Sequence, residues 1–221
     1  MRTGSDLIFN GELILSGTVI DDSHLGWMWE EDVFFAPSLV RQALAQMGEG
    51  RITVRINSIG GHVNAGEQIR AMLAAHPGGC RIIVEGIAAS AASLILMAGA
   101  ERVMSAGSHI MIHDPSGAIW GNEDDARRHA DQLALTANTY AAVYAAASGK
   151  TPDEVRRLMK AETWFGPEAA IAEGFADAID GAAPAAAAIP VSTELAGARQ
   201  HYLAGCARLR ERLAALTPPA R

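Results

Sequence analysis

Cysteine is scarce in this chain: Cys80 and Cys206 are the only two among 221 residues. Two thiols cannot form the disulfide framework that stabilises small secreted domains. No stretch approaches the roughly 18 consecutive apolar residues of a membrane span. The opening residues, MRTGSDLIFNGELILSG, also lack the apolar centre of a signal peptide. The sequence therefore predicts a cytoplasmic protein with reduced cysteines and no membrane contact.

Positive charge is limited as well, because 25 acidic residues outnumber 18 basic ones and give a net charge of −7. Nucleic-acid binding needs a concentrated basic surface, so nucleic acid is not expected as a partner. The sequence has no His-Glu-x-x-His pattern, no paired-cysteine spacing and no phosphate-binding Gly-Lys loop. We therefore expect no metal, no other cofactor and no ATP hydrolysis by this chain.

Two similar stretches occupy the centre of the sequence. Each reads as an apolar strand, a tight turn of small residues and the beginning of a helix. The first comprises residues 52–56, 57–61 and a helix from Val63, and the second comprises residues 81–84, 85–89 and a helix that opens near Ser90. Strands that alternate with helices predict an α/β fold with a mostly parallel sheet.

The flanking segments complete a domain over residues 1–180. Its first 50 residues predict a hairpin at Asn10-Gly11, an aromatic loop and a helix from Pro37. The loop aromatics Trp27, Trp29, Phe34 and Phe35 either pack back on the domain or contact a neighbouring subunit or partner. Further strands are predicted at 101–104, 109–113, 162–165 and 175–179, and helices at 122–148, 152–160 and 167–173. Residues 181–190 are an Ala/Pro linker and residues 191–221 a C-terminal helical tail.

Two serines are candidate nucleophiles. The Gly-x-Ser-x-Gly elbow of α/β-hydrolases is absent, but Ser90 and Ser93 lie in the small-residue segment GIAASAAS. Ser90 opens the helix, where unpaired N–H groups could hold an oxyanion, although a helix-opening serine can also be an ordinary N-cap. Ser93 lies one turn further in, where a serine usually bonds the carbonyl four residues back.

A general base should be a histidine, and His113 ends the predicted strand IMIHDP. The alternative is a hydrogen-bonded structural histidine. Three acids could orient it: Asp114, Glu162 and Asp177. Because adjacent strand residues point to opposite faces, Asp114 is disfavoured and Glu162 or Asp177 remains. A Ser–Lys dyad would have to use Lys150 or Lys160, and both are expected at the solvated surface.

Four motifs resemble those of the Clp protease proteolytic subunit (ClpP) family. RINSIGGHVNAG is similar to its Asn-Ser-Pro-Gly-Gly segment, GIAASAAS to its Gly-x-Ala-Ala-Ser turn, and IMIHDP to its Met-Ile-His-x-Pro strand. TWFGPEAAIAEGFADAI is similar to the segment that closes the family's domain, and the resemblance covers about residues 50–180.

The resemblance implies a crotonase-like spiral of repeated ββα units and a serine endopeptidase that works through an acyl-enzyme without a cofactor. Ser90 would be the nucleophile, His113 the base and Glu162 the acid, with the oxyanion held by the amides of Gly61 and Ala91. Family members form homo-oligomeric rings that cleave proteins or peptides, and the helix over 122–148 would meet a facing ring.

The sequence departs from the family pattern at Ile59, where proline is usual, and at Ala91-Ala92, where Met-Gly is usual. Its loop WMWEEDVFFAP looks more like the related head-maturation (prohead) proteases of tailed phages. Capsid or scaffold proteins, or an ATPase unfoldase, are therefore the expected partners. Two alternatives remain: a crotonase-type acyl-CoA hydratase or isomerase, and a catalytically dead capsid assembly protein.

Overall fold

Within residues 3–181, the part of the chain that the computed structural model describes, nine strands and six α-helices are present. The strands are β1 (Ile8–Phe9), β2 (Glu12–Val19), β3 (Phe34–Phe35), β4 (Ile52–Gly61), β5 (Cys80–Ala89), β6 (Glu101–Met104), β7 (His109–Ile112), β8 (Thr163–Phe165) and β9 (Ala178–Ile179). The helices are α1 (Pro37–Met47), α2 (Val63–Ala74), α3 (Ala91–Leu96), α4 (Glu123–Ser148), α5 (Pro152–Lys160) and α6 (Pro167–Ala172). The predicted tail and almost all of the predicted linker, from position 182 onward, lie outside the described residues.

The strands form one mostly parallel sheet in the order β1-β2-β4-β5-β6-β9. Strand β7 pairs in parallel with β5, β3 pairs in parallel with β2, and only the β1–β2 and β7–β8 pairs are antiparallel. Helices connect the parallel strands, as a parallel sheet requires. The predicted α/β fold class, with two central strand–helix units, is confirmed.

The two predicted tight turns are wrong, because both segments remain in the sheet. Strand β4 continues to Gly61 and β5 continues to Ala89. Instead of a turn, the ladder between them slips: Ile56 pairs with Val84, but the next pair is Ser58 with Ala88. Small residues allow such a bulge, which bends a strand without ending it.

The bend in β5 determines where its carboxyl end points. Residues 81–84 pair with β6, whereas residues 87–89 pair with β7. In this second half, Ala89 lies opposite Met111. Ser90, the residue after β5, is therefore delivered beside the carboxyl end of β7, which is the geometry that the candidate site needs.

The hairpin at Asn10-Gly11 is confirmed, with φ of 51° and 78° at its two turn residues. Gly17 does not end a strand. It lies at a register shift within β2, with φ of 92°, and a side chain there would collide with the Val33 carbonyl oxygen.

The core lies between the sheet and helices α1, α2 and α3. All six residues of α3 are buried, as its uniformly apolar sequence predicts. Phe34 and Phe35 are buried too, whereas the side chains of Trp27 and Trp29 are 74% and 76% exposed. Helix α4 is buried mainly in its second half, from Ala137. No helix within residues 3–181 has the length and apolar character to cross a bilayer.

Candidate active site

Ser90 occupies the single residue between β5 and α3, in a conformation that is rare for a serine. Its φ of 53° and ψ of −125° place it outside the regions that residues with a side chain favour. Such backbone costs on the order of 1–3 kcal/mol and persists only where surrounding contacts impose it. The Ser90 side chain makes no capping hydrogen bond to α3, so the ordinary N-cap interpretation does not describe it.

His113 lies directly after β7 and meets Ser90 across the sheet. The Ser90 N–H donates to the Met111 carbonyl oxygen over 2.9 Å, which fixes the two chain segments relative to each other. The His113 Nε2 then lies 2.8 Å from the Ser90 Oγ. This distance is within the range in which an imidazole can take a hydroxyl proton. Both side chains are half-buried, so a substrate can still reach them.

At the end of β4, two glycines leave the main chain without side chains where it lies against Ser90. Gly60 and Gly61 have φ of 95° and 146°, and a Cβ at Gly60 would lie 2.8 Å from the Ser90 Cβ and 3.0 Å from the Ala91 nitrogen. The buried Ser58 hydroxyl accepts the Gly60 N–H over 3.0 Å. Only glycine fits at this contact.

Two neighbouring spaces open at Ser90 and His113. A groove of about 280 Å³ is lined by both of them, by Gly60 and Gly61 and by Thr18, Ile59, Val63, Met111, Pro115 and Ser116. A smaller cavity of about 20 Å³ adds Ala91, Leu94, Tyr140, Tyr144 and Met159. Burial raises the pKa of Tyr140 to about 12, so this tyrosine stays neutral and the small cavity carries no charge from it.

The amide of Ala91 begins α3 and is one of the helix N–H groups that have no acceptor within the helix. It follows the candidate nucleophile directly. Gly61 lines the groove that opens at Ser90. The two predicted oxyanion residues thus line the two spaces that open at Ser90, and Gly60, which the sequence interpretation did not single out, makes the closer main-chain approach to Ser90.

The three candidate acids lie in different settings, and none of them hydrogen-bonds His113 within the described part of the chain. Asp114 pairs with Arg156. Burial disfavours the Asp177 anion, but hydrogen bonds and charge from Arg102 outweigh this and lower its pKa. The exposed Glu162 carboxylate accepts the Trp164 indole N–H over 3.3 Å.

Glu162 is nevertheless the acid closest in register to His113. The antiparallel β7–β8 pairing joins Ile112 to Thr163, so the next position along the ladder would place His113 opposite Glu162. Glu162 also has a positive φ of 49°. Among the described residues only Asn10, Ser90 and Glu162 combine a side chain with positive φ. Asn10 belongs to the hairpin turn, and the other two flank His113.

The other serine and lysine candidates for a catalytic role are hydrogen-bonded, ion-paired or exposed. Ser93 bonds the Ser90 carbonyl, three residues back instead of the four that the sequence predicted, and also contacts the Tyr144 hydroxyl. Lys150 pairs with Glu173, and Lys160 is exposed.

Burial raises the pKa of the Cys80 thiol to about 11, which keeps it protonated. Residues 3–181 contain no cluster of three His, Cys, Asp or Glu side chains that could hold a metal ion.

Comparison with known proteins gives a consistent result. The family model described as Clp protease matches residues 30–182. The chain is 31% identical over 160 residues to the ATP-dependent Clp protease proteolytic subunit 2 of Thermobifida fusca, covering 70% of this chain and 78% of that protein. It is 30% identical over 168 residues to proteolytic subunit 3 of Streptomyces avermitilis, covering 75% of each.

Proposed function

The chain belongs to the Clp protease family and is a serine-type peptidase, and we propose that its nucleophile is Ser90 and its general base His113. One observation carries this proposal: the 2.8 Å contact between the Ser90 Oγ and the His113 Nε2, at the edge of an open groove. The Ser90 hydroxyl is available because it makes no capping bond.

The chemistry follows from this contact. His113 Nε2 takes the hydroxyl proton as the Ser90 Oγ attacks the scissile carbonyl carbon. The tetrahedral intermediate collapses when His113 returns that proton to the leaving amine, and the acyl group stays on Ser90. A water molecule then gives a proton to His113 and attacks the ester carbon. His113 returns that proton to the Ser90 Oγ as the ester bond breaks, which releases the acid and restores the Ser90 hydroxyl.

The developing oxyanion would be held by the N–H groups of Ala91 and Gly61. Ala91 is favoured because its N–H is unpaired at a helix start and follows the nucleophile. Gly61 is favoured because glycines at the end of β4 let main chain approach Ser90 without a side chain in between. Loss of one such donor typically costs about 10²–10³ in turnover.

We further propose that Glu162 orients His113 after its side chain rotates away from Trp164. Its register position, its strained backbone and the weak bond to an exposed indole support this role. Glu162→Gln should lower kcat by about 10²-fold or more with little change in KM, since an amide cannot stabilise the imidazolium charge equally. A kcat within about twofold of the original would remove Glu162 from the mechanism.

Fluorophosphonate labelling followed by peptide mapping tests the nucleophile. The expected result is a single label on Ser90 that is lost in Ser90→Ala and strongly slowed in His113→Gln. A label on Ser93, or on no serine, would overturn the assignment. Turnover of an acyl-CoA by unlabelled protein would instead favour a hydratase or isomerase on the same fold.

The biological setting has two candidates, which differ in partner. The relatives named above are proteolytic subunits of ATP-dependent proteases, which supports a ring-forming subunit that receives protein from an ATPase unfoldase. The exposed Trp27 and Trp29 in the loop that resembles prohead proteases support the processing of capsid or scaffold proteins during phage head maturation.

Degradation assays distinguish these settings. A ring-forming subunit should have several times the 23.2 kDa mass of one chain in solution, and should degrade short peptides alone but folded proteins only with an added Clp-type unfoldase. A maturation protease should cut an assembled capsid or scaffold protein at a few defined sites without ATP. A monomer that cuts peptides efficiently would contradict the ring.

A further inference from the structure

Two buried hydroxyl groups lie against the main chain of Ser90. Ser93, in α3, is fully buried, and Tyr144, in the second half of α4, is 3% exposed. The Ser93 Oγ donates to the Ser90 carbonyl oxygen over 2.7 Å and lies 2.8 Å from the Tyr144 hydroxyl oxygen. The Tyr144 hydroxyl is itself 3.5 Å from the same carbonyl.

The direction of these bonds can be deduced from the number of protons. Each hydroxyl has one proton to donate, and Ser93 uses its proton in the short bond to the Ser90 carbonyl. Because the other possible donor to that carbonyl, the Tyr144 hydroxyl, is 3.5 Å from it, we assign the Tyr144 proton to the Ser93 Oγ, 2.8 Å away. Burial raises the pKa of Tyr144, so this donor stays protonated at any working pH. The result is a chain from Tyr144 through Ser93 to the Ser90 carbonyl, in which each bond strengthens the next.

This chain fixes one particular peptide plane. The Ser90 carbonyl also accepts the N–H groups of Ser93 and Leu94 over 3.0 and 3.2 Å. A peptide unit is planar and its carbonyl and following N–H point in opposite directions. When the Ser90 carbonyl is held by these donors, the Ala91 N–H points the other way, toward the N-terminal end of α3, where Ser90 lies.

The surrounding sequence supports a constraint of this kind. Helix α3 is otherwise apolar, with the sequence AASLIL, and burying a hydroxyl among such residues is unfavourable unless it is hydrogen-bonded. The plane in question follows a residue whose φ of 53° needs external support. The Tyr144 side chain is itself held in place, because its ring packs edge-on against Phe175 with centroids 6.1 Å apart.

We propose that Ser93 and Tyr144 are positioning residues that hold the Ser90–Ala91 peptide with its N–H aimed at the oxyanion of the substrate. The inference rests on the proposed function, in which that N–H stabilises the tetrahedral intermediate. It assigns a role to two residues that make no hydrogen bond to His113.

The test compares Ser93→Ala, Tyr144→Phe and the double variant on a short fluorogenic peptide. Each single variant should lower kcat by about tenfold or more, since a misaimed oxyanion donor loses part of the 10²–10³ that it contributes, while KM changes by less than about twofold. Because both residues act through one chain, the double variant should be little worse than either single variant. The midpoint of the kcat–pH profile should not move, because the contact between Ser90 and His113 is untouched.

The matched control is Ser108→Ala. Ser108 is also fully buried and its Oγ donates to the carbonyl three residues back, that of Ser105, over 2.8 Å. It does not line either space at the site. It should lose a similar amount of thermal stability to Ser93→Ala but keep its kcat.

Two results would overturn the inference. One is a kcat within about twofold of the original in Ser93→Ala. This variant is the clearer test because Ser93, unlike Tyr144, does not line the small cavity. The other is an equal fall of kcat in Ser93→Ala and Ser108→Ala, which would indicate a general loss of packing. Failure of the proposed function looks different, because fluorophosphonate would then not label Ser90 in the unmodified protein.

Discussion

The β4–α2 junction and the β5–α3 junction share a design and differ in one residue's conformation. Each ten-residue strand bends near its end and passes into a helix through a single polar residue, His62 or Ser90. His62 has φ of −66°, and its Nδ1 accepts the Ala65 N–H over 3.3 Å. Ser90 has φ of 53° and makes no cap, so its hydroxyl is free to meet His113. A helix-opening side chain becomes available for chemistry when the backbone turns it away from its own helix.

The relaxed junction also supports the strained one. Gly66, in the first turn of α2, packs against Ala91 so closely that an added Cβ would lie 2.9 Å from the Ala91 Cβ. Gly60, at the end of β4, touches Ser90 itself. The strain at Ser90 is therefore maintained by contacts from the neighbouring unit, as backbone of this kind requires.

The largest expected effects are those of substitutions at Ser90, which distinguish the role of its hydroxyl in catalysis from the strain of its backbone. Ser90→Ala and Ser90→Gly should both lose about 10⁵–10⁶ in kcat, because the nucleophile is gone. Only glycine adopts positive φ without cost. Ser90→Gly should therefore be more stable than Ser90→Ala by about 1 kcal/mol, which is the relieved strain minus the added entropy of a glycine in the unfolded chain. The hydrogen bond to His113 is lost in both and cancels.

Chemical denaturation of the two variants measures this difference. Equal unfolding free energies, or a more stable Ser90→Ala, would mean that Ser90 carries no strain and that the comparison of the two junctions is unfounded. A loss of less than about 10³-fold in either variant would show that another group attacks the substrate, since the oxyanion donors alone leave only a small residual activity.

The next effect concerns the contact between the two junctions. In Gly60→Ala the new Cβ would lie 2.6 Å from the Ala89 carbonyl oxygen and 2.8 Å from the Ser90 Cβ. We expect kcat to fall by about 10²-fold, the cost of displacing an oxyanion donor, and stability to fall by more than about 1 kcal/mol. Fluorogenic peptide turnover and thermal unfolding measure the two effects.

Gly48→Ala is the control for Gly60→Ala. Gly48 has a similar φ of 78°, but an added Cβ there meets nothing within 4 Å. With its ψ of −167° it should show the stability cost of a backbone region that glycine alone normally occupies, about 1–3 kcal/mol, with unchanged kcat. If the two variants lose the same activity, close packing at Gly60 is not what holds the site.

The sequence predicted most elements because their signals are local. Asn10-Gly11 has the chemistry of a tight hairpin, Pro37 and Gly48 mark the ends of α1, and the acidic start at Glu123 and Gly149 bound α4. The small residues near the ends of β4 and β5 predict turns instead of a slipped ladder, because the same residues serve either structure. Only the pairing of β5 first with β6 and then with β7 distinguishes them, and pairing is not encoded locally.

In the candidate site, too, the sequence predicts what local motifs encode and misses what depends on distant segments. The motifs around Ser90 and His113 pointed to two side chains that the fold brings within 2.8 Å. They did not indicate Tyr144, which is 54 positions from Ser90 and approaches it only because α4 packs on α3. Ser93 appeared to be an ordinary helix serine, and only its partners distinguish it. Roles that depend on a third element need the coordinates.

The smallest expected effects are those of substitutions at His62, the residue that opens helix α2. His62→Ala removes the cap of α2, which should cost about 0.5–1 kcal/mol because the histidine is exposed, whereas His62→Asn can still cap and should cost less. Since His62 lies outside the groove and the small cavity, kcat should stay within about twofold in both variants. Denaturation curves and peptide turnover on the same samples check the two statements together. A large loss of activity in His62→Ala without loss of stability would mean that this residue, too, serves chemistry, and the contrast between a capped helix and a catalytic one would no longer hold.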